Sequence, residues 1–209
     1  QTRSAQFCWE SIKTNCKYIV PGNHDLFAAK SIPKSDPGFS YPSNWYDLSL
    51  EKRKELAYGK IWLYEPHELE SDLSGENKVF IQDLSDQPVI EIGGRHILLS
   101  HYLFPDLSGS GCILPPTTIQ FTSHQDLLKR KNASFAIFGH CHPEGLIYFH
   151  NKMIKYPRFN SSIDCLEDAI IGVPCIANGR NISGFSILDT DNFKIKAYPL
   201  RPIHKRIFR

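Results

Sequence analysis

Tyr18-Ile-Val-Pro-Gly-Asn-His-Asp25 is the stretch from which the rest of the chain is read. Tyr18, Ile19 and Val20 form an apolar run of the kind that ends a buried strand. Pro21-Gly22 stops that run and turns the backbone. Asn23, His24 and Asp25 are then expected at the strand's C-terminal end, where open α/β sheets place their ligands. An amide oxygen can bind a metal, an imidazole can bind a metal or move a proton, and a carboxylate can orient that imidazole. Taken alone, Asn-His-Asp is more simply a polar turn after a core strand. Later segments of the chain change that balance.

A length of 209 residues suits one sizeable domain. With 41% hydrophobic and 22% charged residues the composition is that of a globular chain. A net charge of +2 argues against a nucleic-acid footprint spread over the surface. The locally basic stretch 201–209 reads as a solvated tail. No apolar run approaches the ~20 residues of a membrane helix, and no signal-peptide pattern opens the chain. No membrane partner is therefore expected. Cys8, Cys16, Cys112, Cys141, Cys165 and Cys175 are scattered without a Cys-x-x-Cys pair. That spacing fits reduced thiols in a cytoplasmic protein. The first residue is Gln1 rather than Met, so the start of the gene product is expected upstream.

Along the chain, residues 1–15 read as the end of a helix, with Phe7 and Ile12 among its apolar positions. Residues 26–66 show no strand period and are rich in Pro, Ser and aromatics (Phe27, Phe39, Tyr41, Trp45, Tyr46). They are expected either to cap a site or to pack as an inserted satellite core. A surface helix is expected over 49–58, with Leu50 and Leu56 inward. Strands are expected at 78–82, 88–92 and 95–99. The last two should pair as a tight hairpin across Gly93-Gly94. Thr122-Ser-His-Gln125 offers a capping box for a helix through about Lys131. Further strands are expected at 134–138, 146–149, 153–155 and 174–178, and a C-terminal hairpin should join 185–188 to 193–198.

Three of the expected strand ends carry metal-capable groups: Asn23 and His24, His101, and His140 with His142. In extended backbone, residues two apart face the same side, which would set His140 and His142 together and Cys141 opposite. Glycine at 139 lets the backbone approach closely, and the paired imidazoles have ligand spacing. A lone histidine is more often a packed residue than a ligand, and His67, His96, His124, His150 and His204 are read that way.

Pro21-Gly-Asn-His-Asp25, Ser100-His101 and Gly139-His-Cys-His142, in this order, resemble the calcineurin-like metallophosphoesterases. The resemblance runs from about residue 15 to about residue 190. It implies an α/β fold of two stacked mixed β-sheets flanked by helices. It implies two divalent metal ions at strand ends, with Mn, Fe, Zn and Ni all compatible with N and O donors. By the resemblance Asn23, His101 and His140 match ligands of one metal, and His142 a ligand of the other. His24 matches the residue that stabilises the transition state or protonates the leaving group. Asp25 matches the carboxylate that steadies it. The implied reaction is hydrolysis of a phosphomonoester or phosphodiester by metal-activated water, on a small-molecule or a macromolecular substrate.

The family pattern also has an Asp-x-His and a Gly-Asp strand end before Asn-His-Asp, and neither occurs here. The expectation is an enzyme read without its first βαβ segment, the 209-residue chain by itself being inactive. The alternatives are a non-catalytic scaffold, as in the retromer subunit that resembles this family, and a nuclease, which the near-neutral charge disfavours.

Overall fold

The structure, a computed structural model, describes residues 5–63, 73–111, 115–176 and 182–200. The chain divides into two compact units: 1–88 with 99–114, and 89–98 with 115–209.

The first unit is helical. α1 (Ala5–Asn15) runs where the sequence predicts a helix, but it buries Trp9 and leaves Phe7 75% exposed. Trp9 packs with Ala29, Leu73 and Ile81, and Ile12 and Ile19 border that cluster. α2 (Asn23–Ala28) follows, then α3 (Leu50–Ala57) and α4 (Gly75–Asp83). The expected helix over 49–58 is present. Ser49 caps it by accepting from the Lys52 amide at 3.2 Å, and Tyr58 ends it in the left-handed region. It buries Ala57, while Leu56 is exposed.

The stretch 78–82, expected as a strand, is helical. Ser74 Oγ accepts from the Asn77 amide at 3.2 Å and starts α4, and Asn77 and Ile81 are then buried one turn apart. Asn77 accepts from Lys13 at 3.1 Å and donates to Glu10 at 2.9 Å, tying α4 to α1. The expected strand at Tyr18–Val20 is not found. These residues join no ladder among the described residues, and Tyr18 is 39% exposed.

The second unit carries the sheets. β1 (Val89–Ile92) and β2 (Arg95–Ser100) form the expected hairpin. Gly93 and Gly94 have φ of 56° and 74°, the sign that a two-residue turn between twisted strands requires. β3 (Phe135–Phe138), β4 (Ile147–His150), β5 (Met153–Lys155), β6 (Ser162–Asp164) and β7 (Ile170–Gly172) follow, with β8 (Gly184–Asp189) and β9 (Lys194–Pro199) at the end. One mixed sheet has the order β1-β2-β3-β7-β4-β5, and an antiparallel sheet has β6-β9-β8. β3 and β7 are parallel.

The strand expected at 174–178 is displaced. Ile170-Ile171-Gly172 takes the ladder instead, paired with β3 and β4, and the Phe138 ring packs against the bare Cα of Gly172. The end of that expected strand, the tail at 201–209, His67, His204 and Cys112 lie outside the described residues. The C-terminal hairpin is as expected. Asp189 accepts the amides of Asp191 and Asn192 at 3.0 and 3.3 Å, which makes the turn.

α5 (Thr118–Arg130) starts earlier than expected. The box is Thr117 with Gln120, whose side chain accepts from the Thr117 amide at 2.9 Å. Phe121 of α5 stacks on Phe149 at 4.7 Å, which fixes the helix on the mixed sheet. The two sheets meet where the Arg95 guanidinium lies 4.8 and 4.9 Å from the rings of Phe135 and Phe193. Cys8, Cys16, Cys141, Cys165 and Cys175 are free thiols. Among the described residues no helix is long and apolar enough to cross a membrane.

His124 of α5 is fully buried, and burial pushes its pKa down to about 3 from 6.5. The unfolded chain takes up this proton at a higher pH than the folded one. The associated stability is therefore complete above pH 6.5 and is lost as pH falls toward about 3. His124→Gln should flatten that part of the curve. Urea midpoints at about pH 7 and about pH 4.5 measure it: the drop should be smaller in the variant, and an equal drop contradicts the assignment.

Candidate functional site

In the first unit Asn23, His24 and Asp25 form the first turn of α2, not the end of a strand. Asn23 is buried at 8% exposure, while His24 is exposed. Leu26, one turn on, is buried and anchors the short helix. The Asp25 carboxylate accepts the Gly22 amide at 2.9 Å and so closes the turn that begins α2. Its burial holds the carboxyl pKa above the usual value, with the Gly22 hydrogen bond opposing.

Gly22 has φ −102° and ψ 175°, extended backbone that any residue adopts. The need for glycine here comes from His101. A Cβ on Gly22 would lie 2.5 Å from Cε1, 2.7 Å from Nδ1 and 2.8 Å from Nε2 of that imidazole. The His101 ring therefore lies flat on the bare Cα that precedes Asn23. It reaches this place from the end of β2. Ser100 donates to the Tyr102 carbonyl at 2.7 Å, the Tyr102 amide donates to Leu107 at 2.9 Å, and Tyr102 and Leu103 are buried. Two segments distant in sequence thus bring the His101 imidazole onto the backbone immediately before Asn23. An imidazole nitrogen and an amide oxygen are neutral donors of a kind that divalent metals accept.

The aromatic segment 26–63 packs as a satellite core around Trp45, Ala57 and Ile61. Phe39, Tyr41 and Trp45 meet edge to face at 4.9 to 5.3 Å. The cavity beside Asn23, with walls that include Tyr46, Arg53 and Trp62, is about 30 Å³, room for a single water. Trp62 departs from this core and lies against His24.

In the second unit His140 and His142 follow β3 directly, but not in extended backbone. Their φ values are 61° and 47°, and the Cys141 amide bonds back to the Gly139 carbonyl at 2.7 Å. This is a γ-turn with positive central φ, a strained form. The alternation argument that paired the two rings therefore does not apply. Histidine tolerates the left-handed region better than most residues, and strain of this kind clusters at ligand sites. His140 is half-buried and His142 exposed. Desolvation holds the His142 pKa below its usual value, so the neutral, metal-competent ring prevails at neutral pH. Burial pushes the Cys141 thiol up to about 12, so it stays protonated. Among the described residues no three His, Cys, Asp or Glu side chains gather into a metal-holding group by themselves.

Of the histidines read as non-ligands, His124 is core. His96 is exposed, with Nδ1 3.1 Å from the Asn132 carbonyl, and His150 is half-buried on β4. Sequence reading missed the contacts of Gly22 and Trp62, for which no local signal exists. It also missed Asp106, whose Asp-x-Ser-x-Ser pattern is a recognisable turn signal.

Gly22→Ala should lower the urea midpoint, because the His101 ring must move, at a cost of about 1–3 kcal/mol. In a His101→Ala background the same substitution should cost much less. A double-mutant cycle on unfolding midpoints measures the coupling, and additive effects would contradict the packing described.

No protein-family profile and no curated protein matches the chain. Among solved structures, a metallophosphoesterase from Sphaerobacter thermophilus superposes with a TM-score of 0.53 at 14% identity. The alignment covers 93% of this chain and 70% of that one. A hypothetical protein from Pyrococcus horikoshii OT3 superposes with a TM-score of 0.50 at 13% identity, over 93% of this chain and 67% of the other. At such identities the likeness speaks for architecture alone, and with the mixed sheet, the helices and the motif order it establishes that the chain has the metallophosphoesterase fold.

Proposed function

We propose that the gene product is a metal-dependent phosphoesterase that hydrolyses a phosphomonoester or phosphodiester. The observation that carries this reading is the His101 ring on the bare Cα of Gly22, the residue that leads into buried Asn23 and exposed His24. Asn23 and His101 in the first unit, and His140 and His142 in the second, are proposed as metal ligands, with Mn, Fe, Zn or Ni suited to such donors. When bound, the ions would supply charge neutralisation and a water of lowered pKa.

The remaining chemistry falls to this chain's own side chains. His24 is exposed and offers N–H donors that can meet a phosphoryl oxygen as charge develops, or pass a proton to a leaving oxygen. Asp25 holds the turn that presents it, through the Gly22 amide. Asn23 and the proposed histidine ligands carry no negative charge, so an electron-rich substrate meets neutral donors here.

In the full-length gene product, His24→Ala should lower turnover of p-nitrophenyl phosphate or its diester by about 10²–10³-fold and leave metal content near parental. His101→Ala should deplete metal. Metal analysis beside turnover, with chelator as control, separates the two roles. Equal metal loss in both variants, or turnover insensitive to chelator, contradicts the reading.

A further inference from the structure

Trp62, in the 26–63 segment, lies against the proposed catalytic side chain of His24. Its centroid lies 4.5 Å from that of the His24 imidazole, with the planes 39° apart. His24 sits on the first turn of a six-residue helix and is exposed, so its own helix does little to choose among its rotamers. An aromatic ring packed against it at this distance narrows that choice.

Trp62 is in turn held from behind. Its amide donates to the Ser110 carbonyl at 2.8 Å, and Ile61 forms an antiparallel bridge with Gly111. Ile61 is 3% exposed within the satellite core. The strip it pairs with is organised by a buried carboxylate. Asp106 accepts the Ser108 hydroxyl at 2.8 Å, the Ser110 amide at 3.2 Å and the Gly111 amide at 2.7 Å. A buried carboxylate that accepts this many donors fixes the loop.

We propose that Trp62 is the positioning residue for His24. Its ring holds the imidazole in the orientation from which it acts, and the Asp106 loop holds Trp62. The consequence for rate rests on the phosphoesterase reading; the stacking does not.

The test uses Trp62→Leu, which keeps apolar bulk, and Trp62→Phe, which restores a ring, in the full-length gene product loaded with Mn(II). With p-nitrophenyl phosphate or its diester, Trp62→Leu should lower kcat roughly fivefold to tenfold, the scale of one freed side-chain rotor. KM and metal content should stay within about twofold, and Trp62→Phe should recover most of the loss. A second readout needs no turnover. The His24 ring protons should show an upfield ring-current shift in the ¹H–¹³C NMR spectrum, lost in Trp62→Leu and partly kept in Trp62→Phe. Absence of any metal-dependent turnover would defeat the phosphoesterase reading, and the shift would then decide the positioning claim by itself. An unchanged His24 shift in Trp62→Leu, or a raised KM at parental kcat, overturns the proposal.

Discussion

The first unit depends on a close approach: the His101 imidazole lies on the Cα of Gly22, where no side chain can stand. Packed interiors do not absorb an added methyl group at that distance without moving something. The constraint acts on both partners. It holds the chain after β2 against the turn before α2, and Asn23, the first residue of that helix, is buried. Asp25 completes the arrangement from the other side, because its hydrogen bond to the Gly22 amide keeps that backbone in place. Position, more than donor identity, is what distinguishes these residues from an ordinary polar turn.

The second unit meets the same need differently. There the mixed sheet ends β3 at Phe138, and the next residues leave the ladder through a γ-turn with two histidines at positive φ. Such backbone persists only when the surroundings over-determine it. Phe138 packs on Gly172 and near Phe121, so the strand that launches the turn is rigid. One unit thus uses a missing side chain and the other a strained backbone to present imidazoles. The first device rests on Gly22, and the second on His140 and His142 themselves, whose φ values are positive.

What the sequence made legible was chemistry that acts at short range. Gly93-Gly94 and Asp189-Thr-Asp-Asn192 announced their hairpins because turn geometry is set by the turn residues themselves. The motif order announced the fold, which the solved metallophosphoesterase shares. The failures share a cause as well. Lys78–Gln82 is apolar enough to read as a strand, and Ser74, four residues earlier, makes it a helix. The Thr-x-x-Gln pattern occurs at 117–120 and at 122–125, and only the first is the cap. Ile170–Gly172 became a strand through pairing with β3 and β4, partners that no local pattern names. Tyr18–Val20 has a strand's residues but no ladder partner among the described residues. The Trp62 contact joins positions 24 and 62, so only the folded chain could reveal it.

The proposal at the centre of this account is that His101 in the first unit and His140 in the second serve as metal ligands while His24 does not. Pulsed electron paramagnetic resonance of Mn(II) bound to the full-length gene product tests it most directly, since nitrogen modulation reports the imidazoles on the metal. The account predicts imidazole modulation that weakens in His101→Ala and in His140→Ala and is retained in His24→Ala. Modulation that is absent, or that disappears with His24 and survives loss of His101 and His140, would contradict it.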